Sequence, residues 1–132
     1  MKLKDLVADA KEVKVPFDGN EDFVVTISYV PRTEMTKMVK SCETTKMNRS
    51  TRQYETELDQ EKFLKMFVER VVKDWEGLTL EILDELVPID YEPEHANQEL
   101  PFEPENALSL LKQSQVFDDW LNAKVNDIST FR

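Results

Sequence analysis

The chain has 132 residues and a mass of 15.5 kDa, enough for one ordinary domain with its own core. Against 17 Lys plus Arg stand 27 Asp plus Glu, a formal net charge of −10 with 40% hydrophobic residues, which describes a folded chain with a heavily solvated exterior. Two glycines, one cysteine and one histidine exclude a glycine-rich phosphate cradle, an internal disulfide and a Cys/His structural zinc site, so neither a cofactor nor a metal is expected.

Met1 to Ala10 carries two lysines and two aspartates around short apolar pieces, with no hydrophobic signal core. No later run reaches membrane-spanning length, so a soluble protein without a membrane partner is expected. Lys11 to Phe17 and Phe23 to Tyr29 flank Asp18-Gly19-Asn20 and predict a two-stranded hairpin. Phe23, Val25, Ile27 and Tyr29 share one strand face, and two strands alone are marginal in water, so helices or a partner must cover that face.

After Pro31, Thr33 is placed to cap a helix ending near Lys46, with Met35, Met38, Val39 and Cys42 on one stripe. The stripe reads either as core or as an adaptable protein-binding groove, since unbranched thioethers repack around different shapes. Cys42, with no neighbouring histidine in the sequence, reads as a small buried hydrophobe rather than a nucleophile. Residues 32 to 52 sum to +4, and the polar stretch near 46–56 lacks helical periodicity, predicting a mobile loop with Tyr54 at its end. Six basic charges and one aromatic make no RNA-recognition motif, so no nucleic-acid partner is expected.

Asp59 suits the N-cap of the strongest helix, whose face runs through Phe63, Met66, Phe67, Arg70, Val71, Asp74 and Trp75. Leu64, Val68 and Val72 add a second stripe, so neighbours should wrap this central helix on two sides, and Gly77 suits its C-terminus. Leu78, Ile82, Leu83 and Leu86 predict a short helix stopped by Pro88. From Glu76 to Glu105 the chain holds ten acids and no Lys or Arg. Their spacing lacks the glycine and ligand series of a calcium loop, and no pair is marked as an acid/base couple, so they read as a solvated acidic segment. Pro104 opens a helix carrying Ala107, Leu108, Leu110 and Leu111; Ser114 caps another with Val116, Phe117, Trp120, Leu121 and Val125. The fold class is α+β: a mainly helical single domain over residues 1–125 with an N-terminal two-stranded hairpin, followed by a polar tail at 126–132.

FVERVVKDWEGL at residues 67 to 78, LPFEPENALSLL at 100 to 111 and VFDDWL at 116 to 121 resemble the tail assembly chaperones of long-tailed bacteriophages. NEDFVVTISYVPRTEM is similar to their N-terminal strand and first helix, so the resemblance spans roughly residues 20 to 122. Its anchors are Trp75, Phe102, Glu105-Asn106-Ala107, Phe117 and Trp120. The resemblance implies a nonenzymatic assembly factor in the host cell cytoplasm that holds the tape-measure protein soluble and recruits tail-tube subunits. For such a factor Met35 and Met38, Leu64, Val68 and Val72, and Phe117 and Trp120 are the candidate contacts, each also readable as core, and the uneven charge offers self-association of the basic section with an acidic region of a neighbouring copy. A small structural virion or head-to-tail connector component is the alternative.

Overall fold

The computed structural model describes residues 1–8 and 10–132. Strand β1 (Glu12–Phe17) pairs antiparallel with β2 (Asn20–Ser28) through a turn in which Gly19 has φ +90°, forming the expected hairpin. Phe23, Val25 and Ile27 all point inward and are fully buried, as period-two alternation demands. Helix α1 (Arg32–Ser41) starts directly after Pro31, so Thr33 lies in its first turn rather than at its cap, and it ends five residues before Lys46. Helix α1 is short because the chain turns at Cys42 into a strand.

Where a loop is expected near 46–56, strands β3 (Glu43–Asn48) and β4 (Gln53–Leu58) form a second antiparallel hairpin with six paired positions. Its loop closes without glycine: the Arg52 amide donates to the Asn48 carbonyl at 2.7 Å, the Ser50 amide to Asn48 Oδ1 at 2.9 Å, and Arg52 takes a left-handed φ of +56°. At its base the Asp59 amide donates to the Cys42 carbonyl at 2.8 Å.

Helix α2 (Gln60–Val71) is capped by Asp59 Oδ1 as expected but ends before Val72. Val72–Glu76 is a strand, β5, antiparallel to β2, so Val72 and Trp75 are sheet residues and Gly77 does not cap the helix. The register slips between Thr26 and Ile27, and this irregularity lets both Val72 and Trp75 face the core though they stand three residues apart. Gly77, with φ +76°, passes so close to β2 that a Cβ would lie 1.8 Å from the Asp22 carbonyl oxygen. The three-stranded sheet has the order β1-β2-β5.

Helices α3 (Leu80–Leu86), α4 (Pro104–Gln113) and α5 (Gln115–Val125) follow, with Thr79 and Ser114 capping α3 and α5. A ring chain binds sheet to helices: Phe17 lies 5.7 Å from Phe23 and 5.0 Å from Trp120, and Phe23 lies 6.3 Å from Phe117 and 6.2 Å from Trp75. The segment 126–132 is not a free tail: Ile128–Phe131 forms a 3-10 turn whose Phe131 ring is buried 5.2 Å from Tyr29. One core joins all five helices to the sheet, which makes the architecture a single α+β domain. Among the described residues no helix is long and apolar enough to cross a membrane.

Candidate functional site

Two adjoining hollows of about 340 and 300 Å³ share Met35, Val125 and Asn126 and together form a groove between α1, α2 and α5. Phe67, Val30 and Val125 are buried in its floor, while Met35, Phe63 and Leu64 are half-buried and line its walls. Phe63 stacks on Phe67 at 5.9 Å, which holds that wall rigid. Ile128 is 56% exposed at the outer end, so the groove continues as apolar surface onto the C-terminal turn. The polar lining consists of Arg32 in one hollow, Asp118 and Asn122 in the other, and Asn126 where the two meet. Asn122 Nδ2 donates to the Asp118 carbonyl at 2.8 Å and to Asp118 Oδ1 at 3.0 Å, which holds these two side chains together. A floor of rings and aliphatic groups bordered by polar side chains can accept an apolar helix face or a few inserted side chains.

The seven residues singled out for partner contact divide sharply. Met35 and Leu64 meet in this groove. Met38, Val68, Val72, Phe117 and Trp120 are core residues, and with 8% exposure or less they offer a partner no surface in this state. Helical spacing identifies the faces of α1, α2 and α5 but not which end of each face the next helix covers. The groove also recruits Phe63, Tyr29, Val125 and Ile128; of these, only the isolation of Ile128 in a polar segment marks an uncovered apolar position in the sequence.

The residues of the quoted phrases turn out to be joints. Trp75 Nε1 donates to the Leu100 carbonyl at 3.0 Å while its ring meets Phe102 edge-on at 5.2 Å, clamping the segment that leads into α4. Asn106 Nδ2 donates to the Pro101 carbonyl at 3.1 Å, turning the chain behind Pro104, and Ala107 is fully buried. Glu103, at the α4 N-cap, makes no side-chain capping bond.

Reactive groups do not gather. Cys42 is buried with its Sγ 3.5 Å from Met66 Sδ. The ten acids between Glu76 and Glu105 are all exposed, and among the described residues no three His, Cys, Asp or Glu side chains converge as a metal-holding group. The Asp127 carboxyl is held below the usual aspartate value: Ser129 Oγ donates to it at 2.7 Å and the Ser129 amide at 3.0 Å, with Lys124 and Arg132 adding attraction. That bond pair holds the turn carrying Phe131.

The family model described as YdaY prophage protein matches residues 31–132, which takes in α1, the second hairpin and all of the groove except Tyr29 and Val30. No curated protein and no solved structure matches the chain.

Proposed function

We propose that this chain, which belongs to the YdaY prophage protein family and is phage-derived, works in the host cytoplasm as a tail assembly chaperone. In this reading it is a nonenzymatic binding protein that keeps the tape-measure protein soluble and helps recruit tail-tube subunits. The observation that carries the reading is the groove between α1, α2 and α5, built by a folded core yet left open along Met35, Phe63 and Leu64. A long helical client presents apolar side chains at i, i+3 and i+4, and such a stripe lies into a groove of this kind. Each large side chain seated there contributes about 1.5–3 kcal/mol, so affinity builds from several modest anchors and can be surrendered stepwise to tube subunits. The negative surface keeps the complex soluble and steers basic client segments. The phrases shared with tail assembly chaperones support the same reading through the joints they build around Trp75 and Phe102.

Co-expression with the tape-measure protein of the same prophage tests it. The wild-type chain should hold that protein in the soluble fraction as a complex. The Met35→Glu/Leu64→Glu double variant changes two half-buried positions, so it should keep its circular-dichroism spectrum and lose the complex. A tape-measure protein whose solubility is indifferent to this chain would refute the proposal, and retention of the chain in purified mature tails would make it a virion component.

A further inference from the structure

We propose that the β3–β4 hairpin is an arm that docks on the α3–α4 face of a second copy of this chain. Antiparallel pairing sorts the arm into two unlike faces. Thr44, Lys46 and Asn48 share one face with Gln53, Glu55 and Glu57, and that face is satisfied internally: Lys46 Nζ lies 3.4 Å from Glu57 Oε2, and Asn48 Nδ2 donates to Glu55 Oε1 at 2.9 Å. The opposite face sets Met47 across from Tyr54, with Leu58 nearer the base. These three are 55%, 75% and 40% exposed, so an apolar stripe lies in water along a ribbon with no buried residue. A two-stranded ribbon alone is marginal, and cover on this face is what would make it stable. Six paired positions at about 3.4 Å each give it a reach of about 20 Å.

The tip decides the occupant. Arg49 and Arg52 put two positive charges there with no acid between them, and among the described residues neither lies within 4 Å of a carboxylate, whereas Lys46 is already held by Glu57. The complementary surface is on the same chain. Leu83, Val87, Leu100 and Leu110 line a hollow of about 130 Å³ with little polar surface, sized for one or two apolar side chains. Asp84 and Glu99 directly follow and precede the lining residues Leu83 and Leu100 in the chain; both are exposed and, among the described residues, have no Lys or Arg within 4 Å. An apolar stripe beside a basic tip thus meets an apolar hollow beside acids, and two copies supply both halves. Exchange of arms in both directions closes a dimer, whereas exchange in one direction propagates as a ring or filament. The contact stands whether or not the tape-measure protein is the client.

Light scattering after size exclusion, across a hundredfold range of concentration and at low and high salt, reads the outcome. The wild-type chain should reach masses that are multiples of 15.5 kDa and retreat toward monomer as salt rises. Arg49→Glu/Arg52→Glu and Asp84→Lys/Glu99→Lys should each need about tenfold more protein to associate. Mixing the two variants should restore association, because each then offers what the other has reversed. Met47→Ser/Tyr54→Ser should stay monomeric with an unchanged helical spectrum. A wild-type chain monomeric throughout, variants that associate like wild type, or a mixture that fails to recover would overturn the proposal.

Discussion

Ser114 joins α3 to α5 through one hydroxyl, and Ser114→Ala measures what that joint contributes. The residue is 1% exposed; its Oγ donates to the Leu86 carbonyl at 2.7 Å, at the end of α3, and accepts from the Phe117 amide at 3.1 Å, at the start of α5. Its own amide closes α4 on the Leu110 carbonyl at 2.9 Å, a bond the substitution leaves intact. Alanine therefore removes an N-cap, a loss of about 0.5–2 kcal/mol. It also strands a buried carbonyl, a further cost of about 1–3 kcal/mol. Because the two losses share one atom they do not simply add, and about 2–4 kcal/mol is expected. For 132 residues the unfolding entropy is about 0.28 kcal/mol/K, so the melting temperature should fall by about 7–14 °C. Thr79→Ala is the internal control: Thr79 Oγ1 accepts from the Ile82 amide at 3.3 Å and, among the described residues, makes no second bond, so its loss should cost about 1 kcal/mol. Thermal melts by circular dichroism and urea titration at matched m-values check both. If Ser114→Ala melts no lower than Thr79→Ala, the bond to Leu86 contributes nothing and the reasoning fails.

Gly77→Ala should abolish folding, since its Cβ would lie 1.8 Å from a backbone oxygen of β2, whereas Gly19→Ala, with φ +90° and nothing within 4 Å, should cost only about 1–2 kcal/mol; soluble yield and circular dichroism separate them. Trp75→Phe removes the bond to Leu100 and part of the packing on Phe102, and a loss of about 1.5–3 kcal/mol should appear in urea titration followed by the remaining Trp120 fluorescence. Asp127 has a folded pKa below its unfolded value, so its contribution is complete at neutral pH and is lost as pH falls through the folded value. NMR titration should place its midpoint below the ordinary aspartate range, and in Asp127→Asn the Tyr29–Phe131 contact should lose that acid limb.

Elements whose pattern has a local cause are legible in the amino-acid order alone. The first hairpin follows from Gly19 and the alternation Phe23, Val25, Ile27; α2 begins at Asp59 and α5 at Ser114 because their side chains accept the first free amides; α4 begins at Pro104, whose ring lacks the amide that a first turn leaves unpaired. Tertiary structure decided the rest. Val71, Val72 and Trp75 carry helical spacing, yet the sheet takes Val72 and Trp75, because an irregularity in the pairing with β2 turns residues three apart to the same side and the intervals of helix and bulged strand coincide. The arm carries no local signature: its turn has neither glycine nor proline, its alternation is carried by Thr, Met and Tyr among charges, and Arg52 occupies a left-handed position usually given to Gly or Asn. Which apolar stripes are core and which are surface also lay beyond local pattern: Phe117 and Trp120 vanish into the ring chain while Met35 and Leu64 stay in an open groove. Periodicity fixes the direction a side chain faces, and only the placement of distant elements fixes whether anything stands there to cover it.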